Sequence, residues 1–177
     1  MKALVDGVRK DIRAVWFENG EVVMIDQREL PAKLVFVRFS DYKDVAEAIR
    51  NMTTRGAPSI GATAAYAMCL AALGGCDIPK AASYVKSARP TAYDLFHAVD
   101  WMCERLSEGE DPVKAAQAYA EATIEKCRLI GKYGAELIDS GMKLMTHCNA
   151  GALATVDYGT ALAPMRTAHD AGKDFFV

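Results

Sequence analysis

An α/β fold is predicted, with a small N-terminal antiparallel β element, a helical body and the opening of a βαβ unit. Three observations predict it. Between Ile12 and Val37 short apolar runs are broken by turn residues, the grammar of antiparallel strands. From Ser40 the apolar period lengthens to about 3.6, the repeat of a helix. After Gly141 a strand pattern, a turn, a helical region and a second strand pattern follow, the order of a βαβ unit. The chain therefore divides into a β element over 1–40, a helical part over 41–140 and an α/β start over 141–177.

Val15-Trp16-Phe17 and Val22-Val23-Met24-Ile25 flank Glu18-Asn19-Gly20-Glu21. Asn-Gly supplies the positive φ angles of a tight hairpin turn. Leu34 to Val37 is read as a further strand after the break at Pro31. Val45, Ile49 and Met52 form one apolar stripe behind a polar start at Ser40-Asp41. Pro58 opens a helix with no charged side chain, which ends at Gly74-Gly75, and Pro79 to Ser87 is a short helical piece. Beyond Pro90, Leu95, Phe96, Val99, Met102, Cys103 and Leu106 keep helical spacing up to Gly109. Asp111-Pro112 is an N-cap with proline at the first helical position, starting a helix that runs to about Ile130. A further helical turn or two leads to Gly141. Met142 to His147 is then read as a strand, Cys148 to Gly151 as a turn, and a helical region closes at Gly172. Pro164 falls inside that region and starts or kinks its helix. Phe175-Phe176-Val177 begins another strand. Two parallel strands do not make a sheet buried on both faces, so the reading expects a fragment of something longer, or a second chain that completes it.

The 177 residues are half apolar and a quarter charged, with a net charge of -2. That composition supports a packed core, and the absence of a basic surplus predicts no nucleic-acid partner. Residues 56–76 lack charge but consist mostly of Ala, Gly, Ser and Thr, so a helix buried in its own domain is expected there and no membrane span. Five cysteines without C-x-x-C or metal-ligand spacing predict reduced thiols, no metal site and a cytoplasmic protein. The charged N-terminus, with Asp6, Arg9, Lys10 and Asp11, lacks the apolar core of a signal peptide.

Three positions bear on chemistry. Cys148 stands where the 142–147 strand pattern breaks into a turn, and side chains at the carboxyl end of a parallel strand face the crevice where open α/β sheets bind ligands. Backbone N–H groups at such a turn favour a thiolate. A free cysteine is alternatively a small core residue, the reading given to Cys69, Cys76, Cys103 and Cys127. Arg55 precedes Gly56-Ala57-Pro58 and Arg89 precedes Pro90-Thr91, so each lies just before a proline that starts a helix. A helix N-terminus attracts phosphate, Gly56 allows close backbone approach, and arginine adds a fork of donors. The alternative is that both arginines pair with surface carboxylates. His97 and His169 are read as polar-face or locally satisfied groups, and His147 as facing away from its neighbour Cys148.

Arg55-Gly56-Ala57-Pro58-Ser59-Ile60-Gly61, Ala88-Arg89-Pro90-Thr91-Ala92 and His147-Cys148-Asn149-Ala150-Gly151-Ala152-Leu153-Ala154-Thr155 resemble three signature segments of the methylthioribose-1-phosphate isomerases. Asp26-Gln27-Arg28-Glu29-Leu30-Pro31 resembles that family's N-terminal part. The resemblance spans nearly the whole chain but about the first half of a family member. It implies that 141–177 opens a Rossmann-like domain whose remainder is absent. It also implies conversion of 5-methylthioribose 1-phosphate to 5-methylthioribulose 1-phosphate in methionine salvage, with no metal or organic cofactor. Arg55, Gly56, Ala57 and Arg89 match the family's substrate-binding residues and Cys148 its essential cysteine. The family's catalytic aspartate, a glutamine and an Asn-Lys pair fall beyond Val177, so these residues alone are expected to give no turnover. A homodimer is implied for the full-length protein. Asp94 replaces a more usual asparagine, which suggests an ion pair with Arg89, and Asp157 replaces a commoner glycine.

Two other readings stay open. One is a ribose-1,5-bisphosphate isomerase, whose cysteine segment lacks the Asn-Ala-Gly-Ala-Leu-Ala-Thr pattern. The other is a non-catalytic regulatory subunit of the translation-initiation nucleotide-exchange factor, which has no need of Arg55, Arg89 and Cys148 together.

Overall fold

The computed structural model describes residues 1–177. Strands β1 (Lys2–Val5) and β2 (Val8–Asp11) pair antiparallel as a separate two-stranded sheet. β3 (Val15–Glu18), β4 (Glu21–Ile25) and β5 (Phe36–Phe39) form a second antiparallel sheet in that order. Helices α1 (Tyr42–Arg50), α2 (Ala57–Leu73), α3 (Ile78–Lys86), α4 (Tyr93–Ser107) and α5 (Pro112–Ala135) make the body, followed by a 3-10 turn (Ala152–Ala154) and α6 (Leu162–Asp170). The fold is thus α/β, with small antiparallel sheets beside a helical core.

The expected hairpin is β3–β4, with Asn19 and Gly20 at φ 54° and 82°. A second hairpin at the N-terminus escaped the sequence reading. Its Asp6-Gly7 turn carries the same positive φ signal, but its strands are short and largely exposed and offer little apolar pattern. The third strand lies at 36–39, not 34–37. Pairing of Ile25 with Phe36 and Val22 with Phe39 sets its register, while Lys33 is still held in the preceding turn by Glu29.

Asp41 caps α1 by accepting from the Lys43 N–H at 2.7 Å. Met52 does not extend the Val45–Ile49 stripe. The helix stops at Arg50, and Met52 sits beyond the cap at φ 66°, exposed. α2 is buried on every side from Ser59 to Ala71. Two of its buried hydroxyls are hydrogen-bonded, Ser59 with the Thr54 hydroxyl at 2.9 Å and Thr63 donating to the Ser59 carbonyl at 2.7 Å. Small side chains let α1, α3, α4 and α5 and strands β3 and β4 all pack on this one helix. No helix here, this one included, is long and apolar enough to cross a membrane.

α5 runs past the expected end at Ile130 to Ala135, through Gly131 and Gly134. These glycines seat α6. A Cβ on Gly131 would lie 2.7 Å from the Thr167 hydroxyl, and one on Gly134 would strike Pro164. Helix packing therefore overrides their poor helix propensity. α6 begins two residues before Pro164, which occupies its first turn.

The strands expected at 142–147 and 175–177 do not form as strands. A single parallel bridge joins Lys143 to Phe176, with Leu144 N–H donating to Phe176 at 2.8 Å and Phe176 N–H to Met142 at 3.0 Å. The direction is the one a βαβ unit requires. No neighbouring strand or covering layer extends the pairing, and Met145 is 94% exposed. Ala135, Ile138 and Ala168 form a small second cluster beneath this region, apart from the main core.

Candidate functional site

The loop joining α1 to α2 is built by its own polar residues. Asn51 accepts from the Thr53 N–H and hydroxyl at 3.1 and 2.7 Å, and the Gln27 N–H reaches the Thr53 carbonyl at 2.9 Å. Arg55 follows, its guanidinium donating to the Gln27 carbonyl. Gly56 then turns the chain into α2 at φ 99°, ψ 133°, a conformation that side chains disfavour. It also lies against Ala154, whose Cβ would be 2.5 Å from a Cβ on Gly56. That contact brings the start of α2 onto the loop that follows Cys148.

A cleft of about 540 Å³ opens at this junction, its polar wall formed by Gln27, Arg55, Gly56, Arg89 and Asn149. Arg89 enters from the α3–α4 turn, where its carbonyl accepts from Ala92 at 3.0 Å. Neither Arg55 nor Arg89 is in an ion pair with a carboxylate, so the surface-pairing alternative is not realised. The first turn of α2 carries no acidic residue. Two guanidinium groups without a carboxylate partner and the positive end of a buried helix thus bear on one cavity, an arrangement suited to an anion.

The structure brings Arg55, Gly56 and Arg89 together on that cleft. Ala57, the first residue of α2, is exposed and outside the lining. Cys148 is also outside the lining, but its neighbour Asn149 is within it. Of the five thiols, only that of Cys148 is exposed. Burial pushes the Cys69 thiol up to about 12 and raises those of Cys103 and Cys127, which suits packing residues. Cys148 has φ 71°, in the left-handed region that a non-glycine residue enters at a cost of about 1–3 kcal/mol. Asp94 does not pair with Arg89. It lines a separate cavity of about 330 Å³ with Tyr93, His97 and Tyr119, where His97 Nδ1 lies 3.2 Å from the Tyr119 hydroxyl. No group of three His, Cys, Asp or Glu side chains gathers to hold a metal ion.

Gln27 and Asn149 received no role from the sequence. The signal available for Gln27 was a polar residue directly after an apolar strand; for Asn149, its place beside the cysteine. Next to Gln27, Asp26 is buried and held by the Arg28 Nε at 2.8 Å and a second guanidinium nitrogen at 2.6 Å. The Arg28 hydrogen bonds keep the Asp26 carboxyl below its ordinary value of 3.8. Its contribution to stability is therefore complete above that value and lost as pH falls through the lower folded-state value. Urea melts from pH 6 down to pH 3 should show this acid limb, and Asp26→Asn should flatten it.

The model of the initiation factor 2 subunit family matches residues 53–177. The methylthioribose-1-phosphate isomerase of Chloroflexus aurantiacus is 44% identical over 185 residues, an alignment covering 94% of this chain and 53% of that protein. Among solved structures, 5-methylthioribose 1-phosphate isomerase from Pyrococcus horikoshii OT3 superposes with a TM-score of 0.84 at 38% identity, covering 93% of this chain and 51% of the other. Translation initiation factor eIF-2B subunit delta from A. fulgidus gives 0.82 at 35% identity, covering 93% and 53%. The chain spans about half the length of the curated relatives it matches. With the family model covering more than half of its residues, the chain belongs to the initiation factor 2 subunit family.

Proposed function

We propose that the whole protein isomerises 5-methylthioribose 1-phosphate to 5-methylthioribulose 1-phosphate, and that the present residues supply its phosphate-binding half. The observation that carries this reading is the convergence of two arginines, neither ion-paired with a carboxylate, on the cleft at the α2 N-terminus. Arg55 and Arg89 hold the phosphate, while Gly56 and Ala57 offer the backbone of the α2 start. Phosphate binding far from the reacting carbons orients the sugar. Moving hydrogen between adjacent carbons needs an opened ring, an acid/base and stabilisation of an enediolate-like state. Cys148, beside the cleft residue Asn149, moves a proton or stabilises that charge. Residues 141–177 are the opening of a Rossmann-like domain, a reading supported by the parallel bridge and the second small cluster. The three-part division into 1–40, 41–140 and 141–177 belongs to the same reading, as do a homodimeric full-length protein in the cytoplasm, no cofactor and no nucleic-acid partner.

The near-equal likeness to an eIF-2B subunit keeps a regulatory role as the second reading. Titration calorimetry on the chain separates the two. The phosphorylated sugar should bind and the same sugar without phosphate should not. Arg55→Met and Arg89→Met should each weaken binding by about tenfold or more, the loss expected for hydrogen bonds to a charged group. Failure of the phosphorylated sugar to bind, or unchanged affinity in both variants, would remove the enzymatic reading.

A further inference from the structure

We infer that Gln27 is a positioning residue that ties the arginine loop to the cysteine loop, an inference that rests on the phosphate-site reading above. Gln27 follows β4 and is 4% exposed, yet three of its polar groups make four hydrogen bonds. Its N–H donates to the Thr53 carbonyl at 2.9 Å, and its carbonyl accepts from the Arg55 guanidinium. Its side-chain nitrogen donates to the Leu153 carbonyl at 2.8 Å and to the Arg55 carbonyl at 3.5 Å. One residue therefore touches the 53–55 segment three times and the turn after Cys148 once.

The chemistry of the contacts selects the side chain. The Leu153 and Arg55 carbonyls are both acceptors, so the strut must donate twice from one nitrogen, as a primary amide does. Glutamate would set an acceptor against acceptors, and methionine has the length but no donor. On either side of Gln27, Asp26 and Arg28 bind each other, which holds the end of β4 in place. The Gly56–Ala154 contact joins the same two segments by packing, and Gln27 joins them by hydrogen bonds. Gln27 needs no contact with the ligand. It sets where Arg55 and the Cys148–Leu153 loop stand relative to one another.

The test uses the chain with Gln27→Met and Gln27→Glu. It reads iodoacetamide alkylation peptide by peptide in phosphate-free buffer, and inorganic phosphate binding by calorimetry. Half-buried Cys76 is the internal reference for general loosening. A folded variant should alkylate Cys148 about fivefold faster than wild type while Cys76 stays within twofold, and should bind phosphate about fivefold more weakly, the effect of one lost hydrogen bond. A folded variant whose Cys148 rate stays within twofold of wild type overturns the proposal. So does a rise shared by Cys148 and Cys76 in both variants, which marks Gln27 as general core support. Should Gln27→Met lose its helical signal, the isosteric Gln27→Glu supplies the comparison. If the wild-type chain takes up no phosphate, the anion-site reading fails by itself, and the Cys148 rate alone still decides the role of Gln27.

Discussion

Gly56→Ala should destabilise the chain by about 4 kcal/mol, the sum of a glycine-only backbone and an overpacked contact. Both causes act at once. At φ 99° and ψ 133° a side chain is strained whatever space surrounds it, and here there is none. The added methyl would strike the Ala154 Cα and carbonyl oxygen, which are backbone atoms and cannot rotate away. Relief requires the start of α2 and the 152–154 turn to separate, which would spread the cleft that holds Arg55 and Arg89. Phosphate affinity should fall with stability. Gly20→Ala is the control: its φ is also positive, at 82°, but no atom lies within 4 Å of the new methyl. Its cost should stay near 1 kcal/mol. Urea denaturation of the two variants separates strain from collision.

Tyr66→Ala should cost roughly 3–5 kcal/mol, the range for truncating a large aromatic residue in a core. Tyr66 is the largest fully buried side chain, 1% exposed in the middle of α2. Its ring stacks on Phe17 of β3 with centroids 6.1 Å apart, so it joins the helical body to the three-stranded sheet. No side-chain hydrogen bond depends on its hydroxyl, and burial raises the phenol well above its ordinary value of 10. The ring therefore stays neutral at any working pH. Tyr66→Phe should accordingly change stability by less than about 1 kcal/mol. Thermal and urea melts of the pair would check that packing, not the hydroxyl, is what the core requires.

The legible parts of the fold are those in which local chemistry and burial agree. Asp41 and Asp111 cap α1 and α5 because a short carboxylate meets unpaired N–H groups wherever a helix starts. Asn19-Gly20 announces its hairpin for a similarly local reason. α2 is legible because a charge-free run rich in small residues suits a helix enclosed by others. The misses are decided by partners distant in sequence. Gly131 and Gly134 look like breakers until α6 is seen resting on them. Met142 to His147 has strand composition, but pairing depends on what lies beside it, and only Phe176 does. At the site, Arg55, Gly56 and Arg89 stood out by their place before helices. Gln27 did not, since its value lies in reaching Leu153, 126 positions further along the chain.

The burial of α2 has a consequence for recognition. Arg55 and Gly56 are attached directly to a helix gripped from all sides, and Gln27 and Ala154 hold them from behind. On the proposed reading, the anion site is held in place before its ligand binds. Capture of an anion there should consume little backbone entropy, leaving the electrostatic attraction largely intact as affinity.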